Sequence, residues 1–460
     1  MRAYASLLVK KHGEFLLMIN TEDQVALQII EFIYNMLESG DFISSNKVRP
    51  EDFTRDRKLP FAILFTFIVR RSTKSLQVIL NEFIMKYNSD TTITNSAYSQ
   101  ARKKIKYSAF KNLYEGITTL HNELAGDTYK RIFGFRCIGI DASKIILPNT
   151  TEITDFFGAT RIHTQLGDLG TYAHTLFECA YDVLNNLVVQ ASLNHCKSNE
   201  IDLASKMLPS FKEDDLLIFD RAYGSYDLIS ALVQSNKQFI IRLSKASFAE
   251  SQMMFNEDSP WTKIVTLSVP RDKSKTIKEA GLPETVQVRL VKVMLSTGET
   301  EVLITSLLDD QYIQEDFKKL YWLRWGVETF FGKIKGRLTL ENFTGKTLES
   351  VLQDFWATIF LSNLETIVTA GAQKQIDDKI TSSPEKLEKK INKAVSFNAI
   401  KNSAFELFLS LDNKRELLAK LTNLFMTNTC IVRKDREVPR ATPSTHRSLN
   451  FHKRKKKQVF

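Results

Sequence analysis

Cysteine, long apolar runs and an overall charge bias are all scarce in this chain. Its four cysteines, Cys137, Cys179, Cys196 and Cys430, are scattered, with no Cys-x-x-Cys pair. That excludes a zinc knuckle and a disulfide framework, and it fits a reducing cytosol. The longest apolar run, Phe61 to Val69, is interrupted by Thr66 and falls well short of the roughly 20 residues of a membrane span. The apolar stretch Ala5 to Val9 is too brief for a signal-peptide core. Net charge is +10, yet residues 431–460 carry ten basic and two acidic side chains, or +8 of that total. The rest of the chain is close to neutral, so the case for steering by a global field is weak and that for a basic tail is better. The expectation is a soluble, cytoplasmic protein of 460 residues, long enough for about two to four domains.

Helix-period apolar positions run through Val25 to Leu37, Leu59 to Arg71, Leu76 to Tyr87 and Ser96 to Ile117, with Thr94 or Asn95 as N-cap. The last of these carries Arg102, Lys103 and Lys104, so residues 1–125 read as a helical DNA-binding domain. The alternative for its basic residues is a solvated helix face. Strands are expected at Phe135 to Ile140, His174 to Tyr181, Leu187 to Leu193, Leu216 to Phe219 and Gln238 to Leu243, with helices at Glu200 to Leu208 and Tyr226 to Gln234. The order β-β-β-α-β-α-β, over 126–244, is that of an RNase H-like catalytic domain without its final helix. Residues 245–310, punctuated by Pro260, Pro270 and Pro283, read as a β-rich insertion. The missing helix then arrives at about Glu315 to Arg337, within a segment 311–345. A helical domain over 346–432 and the basic tail 433–460, with Lys453 to Lys457, complete the chain. The fold class is therefore α/β, an RNase H-like domain interrupted by a β-rich insertion and flanked by helical domains.

Two aspartates terminate expected strands, Asp141 and Asp220, and Glu328 lies on the late helix. A doubly wound sheet can bring strand ends and a flanking helix to one edge. Three carboxylates meeting there repel unless a cation joins them, and Mg²⁺ takes oxygen ligands of this kind. Around Glu328, the residues Tyr321, Arg324 and Lys335 fall within a helical sector of about 60°. A carboxylate on one stripe with two cations and a phenol points to a metal ligand among phosphate-gripping groups. Taken singly, each residue has a plainer reading: the aspartates as turn formers, Glu328 as the i+4 partner of Arg324, Trp322 and Trp325 as packing residues.

Together these residues resemble the DDE transposases of the bacterial insertion-sequence group that carries a Tyr-Arg-Glu-Lys signature and cuts through DNA hairpins. Tyr321, Arg324, Glu328 and Lys335 match that signature at every spacing. Gly139 to Ser143 resembles the segment of the first aspartate, and Phe219 to Gly224 that of the second. Phe53 to Phe61, Ala97 to Ile105 and Leu338 to Gly345 are also similar, so the likeness runs from about residue 53 to 345. Ala142 and Ala222 stand where many relatives have glycine.

The resemblance implies cut-and-paste DNA transposition, with Asp141, Asp220 and Glu328 holding two Mg²⁺ ions, for which Mn²⁺ substitutes. It implies that Tyr321, Arg324 and Lys335 meet DNA near the cut, and that Arg221 and Tyr223 either support the carboxylates or touch DNA. Arg55, Arg57, Lys58, Arg102, Lys103 and Lys104 are expected on the terminal inverted repeats. A homodimer on double-stranded DNA and a nucleoid-associated location in a bacterium are further expectations. Two other readings use the same residues: an RNase H-fold nuclease without strand transfer, and a decayed or domesticated relative that only binds DNA.

Overall fold

The computed structural model describes residues 21–55, 57–72, 74–87, 92–164, 167–295, 298–381, 387–410 and 412–432, without the side chains of Tyr87, 162–164 and 167–169. The basic tail 433–460, including Lys453 to Lys457, lies outside the described residues, as does the start of the expected amino-terminal domain. Two compact units divide the chain: residues 129–335, and residues 1–128 together with 336–460.

The first unit is built on one large sheet. Its strands are β1 (Arg136–Ile146), β2 (Ala159–Thr164), β3 (Gly167–Asp182), β4 (Leu187–Asn194), β5 (Asp215–Phe219), β6 (Gln238–Leu243), β7 (Thr262–Ser268), β8 (Thr285–Met294) and β9 (Thr300–Thr305). The order is β2-β3-β1-β5-β6-β9-β8-β7, with β4 also pairing β3. β1, β5 and β6 run parallel; the other pairs are antiparallel. Parallel strands are covered on both faces and read as continuous apolar runs, and β5, Asp-Leu-Leu-Ile-Phe, is buried throughout. On one face Leu217, Phe219, Phe239 and Ile241 pack with Leu228, Ile229 and Leu232 of the helix Tyr226–Gln234. On the other, Leu216, Ile218 and Ile240 pack with Phe317, Leu320 and Tyr321 of the helix Gln314–Trp322.

Four expectations need correction. β1 does not end at Asp141: antiparallel pairing with β3, which places Asp141 opposite Cys179, carries it on to Ile146. The region expected as a β insertion is no separate body, because β9 pairs with β6 and so extends the central sheet. The helix expected from Glu315 to Arg337 is three pieces: Gln314–Trp322, Trp325–Gly332 and a π-helical turn Lys333–Arg337. The four signature residues therefore share no single helical stripe. Gly326, just after the break, lies so close to the sheet that a Cβ would stand 2.9 Å from Val183. The expected helix Ser96 to Ile117 is likewise two, Asn95–Arg102 and Ser108–Leu124; Ile105 is fully buried between them and forms a bridge with Lys47. Thr94 does cap the first, accepting the Ala97 N–H.

The second unit is helical. Its spine is the 34-residue helix Leu348–Thr381, which packs on Ser108–Leu124, Thr21–Glu38, Phe61–Arg70 and Lys414–Thr427. The helical segments at the two ends of the chain thus form one compact body rather than two domains. A buried ion pair ties them: Arg102 donates to Asp354 at 2.9 Å, to Gln353 and Thr344, and to the Ser350 carbonyl. Asp354 is fully buried and also accepts the Thr344 N–H. Among the described residues no helix is long and apolar enough to cross a membrane.

Breaking one half of a buried pair leaves an uncompensated charge. Asp354→Asn is therefore expected to destabilise the protein by about 3–5 kcal/mol, read as the shift of a guanidinium-chloride transition followed by circular dichroism.

Candidate active site and nucleic-acid interface

Register creates the site. The parallel ladder of β1 with β5 ends at Ile140 opposite Phe219, so Asp141 and Asp220 leave it as neighbours. This is the carboxyl edge of parallel strands, where α/β sheets place their ligands. The helix Trp325–Gly332 lies against β1 and β3. Val327 faces Gly139, where a Cβ would stand in ordinary contact 3.4 Å away, and Glu328 is the next residue along the helix.

The three carboxylates are held differently. Asp141 accepts the Ala142 N–H at 2.8 Å. Burial pushes its carboxyl up to about 6; the Ala142 N–H and Arg324 oppose this, while Glu328 and Asp220 add to it. Asp220 also suffers burial, but the Arg221 backbone N–H, Arg324, Arg242 and the Tyr321 hydroxyl outweigh it and hold the carboxyl below its usual range. Glu328 is half-exposed and accepts from Arg324 Nη1 at 2.6 Å. Among the described residues, no three His, Cys, Asp or Glu side chains converge closely enough to hold a metal ion. The aspartate pair offers oxygen donors of the kind Mg²⁺ prefers, and its mutual repulsion fits a cation there. Glu328, as placed, serves Arg324 instead.

The residues expected on DNA divide into two groups. Tyr321 is buried, and its hydroxyl donates to Asp220 Oδ1 at 3.3 Å. Arg324 is 2% exposed, lies over the Tyr321 and Trp325 rings, and keeps its Nε without a hydrogen-bond partner among the described residues. Lys335 donates to Ser143 Oγ at 2.6 Å and the Lys144 carbonyl at 2.7 Å. All three are thus engaged within the protein. Tyr223 is fully buried, its hydroxyl without a partner among the described residues, so the expected DNA contact does not hold for it. Arg102 is likewise no surface cation, because Asp354 and its neighbours claim every part of its guanidinium. Arg221 is exposed at the turn after Asp220.

Arg55, Arg57, Lys58 and Lys103 are exposed in the helical unit. Arg55, Arg57, Lys58 and Lys104, with Arg49, line a cleft of about 830 Å³ whose acidic members are Glu51 and Asp52. Lys104 pairs with Asp52 at 3.7 Å and Lys58 donates to the Thr92 carbonyl. The cleft is therefore net basic.

Sequence reasoning passed over Glu178. It is buried on β3 opposite Ala142, with Oε1 lacking a partner among the described residues. Burial pushes its carboxyl up to about 8, Glu200 adding and Lys206 opposing. The signal was present: a single acid inside the apolar strand Thr-Leu-Phe-Glu-Cys-Ala-Tyr.

Residues 174–364 match the family model described as "Transposase DDE domain". The chain is 25% identical over 323 residues to the transposase InsG for insertion sequence element IS4 of Escherichia coli (strain K12), covering 67% of this chain and 70% of that protein. A cryo-EM structure of a piggyBac transposase synaptic complex with hairpin DNA aligns over 91% of this chain and 88% of its own, at 12% identity and a TM-score of 0.43.

Because the folded-state value of Asp141 is raised from 3.8 to about 6, the folded protein holds that proton more tightly than the unfolded chain. Its favourable contribution is complete below pH 4 and lost as pH rises towards 6. In metal-free buffer Asp141→Asn should be more stable than the parent at pH 7–8 by roughly 1–3 kcal/mol. The two should converge near pH 4; parallel denaturation curves at both pH values provide the check.

Proposed function

We propose that the chain is a DDE transposase of the IS4 group, to which its family match and its similarity to InsG point, and that it performs cut-and-paste transposition through a hairpin at its element's ends. Asp141, Asp220 and Glu328 form the catalytic set on an RNase H-like core. The observation that carries this reading is the β1–β5 register, which sets Asp141 beside Asp220, with Glu328 on a helix docked at Gly139. The order of β1, β3, β4, β5 and β6 and of their connecting helices supports the RNase H-like core.

The two aspartates and Glu328 would hold divalent metal, Mg²⁺ or Mn²⁺, once Glu328 leaves Arg324. Such ions supply the charge that activates an attacking oxygen and stabilises a leaving one during displacement at phosphorus. The protein's own groups do the positioning. Tyr321 fixes Asp220 through its hydroxyl. Arg324, freed from Glu328 and with its Nε unengaged, turns to a DNA phosphate beside the cut. Lys335, anchored at Ser143, offers its ammonium to the same backbone. Arg221 reaches DNA from the turn after Asp220.

Four in-line displacements then share one site: water nicks a strand, the freed 3′-hydroxyl attacks the opposite strand, water opens the hairpin, and the 3′-hydroxyl attacks target DNA. Arg55, Arg57, Lys58, Lys103 and Lys104 hold the terminal repeat, and a homodimer brings two ends together.

Asp141→Ala, Asp220→Ala and Glu328→Gln should each abolish Mg²⁺-dependent nicking of a labelled element end while retaining its binding in a gel shift. Mn²⁺ binding followed by electron paramagnetic resonance should weaken in all three. Cleavage by any of the three variants would refute the assignment. Nicking without joining of pre-cleaved ends would indicate a nuclease, and binding without nicking a DNA-binding relative. Separately, Arg55→Ala with Arg57→Ala should lower the slope of log K against log salt by about 2, measured by fluorescence anisotropy on the end duplex.

A further inference from the structure

A second cavity, of about 200 Å³, lies in the helical unit where the helix Phe61–Arg70 ends, the helix Leu76–Tyr87 begins and the helix Lys393–Asn402 ends. Arg70, Arg71, Lys74 and Lys401 line it, with the amides of Asn398 and Asn402. Organic ligands occupy clefts of roughly 300–1,000 Å³, so this space suits one small polyatomic ion rather than a nucleoside.

Charge in the cavity is unbalanced. Glu82 is the carboxylate on its wall; it accepts from Lys74 at 2.7 Å and lies 4.0 Å from Arg70. Glu406 acts on Arg70, and Asp354, itself paired with Arg102, acts on Arg71, both from beyond the lining, so the four lining cations still outnumber the acids around them. Arg71 donates to Thr358 and to the carbonyls of Asp354, Leu340 and Asn342, which are neutral acceptors. Lys401 donates to the Arg71 carbonyl at 3.3 Å. Burial lowers its ammonium to about 8, with Arg71 and Arg70 adding repulsion.

Two helix carboxyl ends converge here, and such ends favour cations. That accounts for Arg70 and Lys401 standing in last turns. It does not account for Arg70 Nη1, which is buried with no hydrogen-bond partner among the described residues. A buried charged donor without an acceptor is costly. An oxyanion would satisfy it and relieve the crowding of cations together.

We propose that this cavity is a phosphate-binding site, taking one phosphate group on Arg70, Lys74 and Lys401 with the Asn398 and Asn402 amides as further donors. The group is either free inorganic phosphate or one phosphate of a nucleic-acid backbone. The site belongs to a different unit from Asp141, and it stands or falls without the catalytic reading.

The test uses the full chain. Inorganic phosphate should raise the thermal midpoint above that in chloride at matched ionic strength. Lys401→Met should be more stable than the parent in chloride, because it removes a buried cation from among cations, yet bind phosphate at least about tenfold more weakly. Lys74→Met, at a half-exposed position, should also weaken phosphate binding and guards against loss of the fold in the other variant. A second arm measures duplex DNA binding against salt. A slope lowered by about 1 in Lys401→Met, with inorganic phosphate competing, assigns the site to a DNA phosphate; an unchanged slope with lost phosphate stabilisation assigns it to free phosphate. Equal stabilisation by phosphate in parent and both variants is the general salting effect and would overturn the proposal, as would none in the parent.

Discussion

Parallel pairing of β1 with β5 is the constraint from which the candidate site follows. The ladder stops at Ile140 and Phe219, and the next residue on each strand is an aspartate. A shift of one residue would turn either side chain to the opposite face of the sheet. That register is held by burial on both faces, so the energy fixing the carboxylates comes from apolar packing remote from them. Arg136 reinforces it at the other end of the strands, through a buried pair with Asp215, the residue opposite it in the ladder.

Electrostatics around the aspartates are arranged asymmetrically. Asp220 is ringed by donors, and Asp141 sits where burial dominates. Glu328 is tied to Arg324 in a bond that is itself mostly buried on the arginine side. The same guanidinium thus tempers both aspartates while occupying the third acid. Such a group sets the charge balance of the whole edge.

Much of this was legible because it is local. Continuous apolar runs marked β5 and β6, and the acid following Leu-Leu-Ile-Phe marked Asp220. The helix Tyr226–Gln234 appeared with its expected bounds. What stayed hidden depends on distant partners. Arg102 reads as one more basic residue on a polar helix, and its partner Asp354 is 252 positions away. The break after Trp322 is invisible to periodicity, because the close packing beside it joins Gly326 to Val183, in the turn after β3. Strand β1 looked as if it stopped at Asp141, since its outer half, Ala-Ser-Lys, is polar and half-exposed. Only pairing with β3 keeps it extended.

The helical unit is assembled from both ends of the chain, with the sheet unit lying between them in sequence. During synthesis, the sheet unit is therefore complete before the helix Leu348–Thr381 has emerged from the ribosome. Until that spine emerges, Arg102 has no Asp354 to pair with, and the amino-terminal helices lack the helix on which they pack. A message cut short after residue 335 yields a sheet with Asp141 and Asp220 in register, attached to amino-terminal helices that pack on one another but leave Arg102 without its acid.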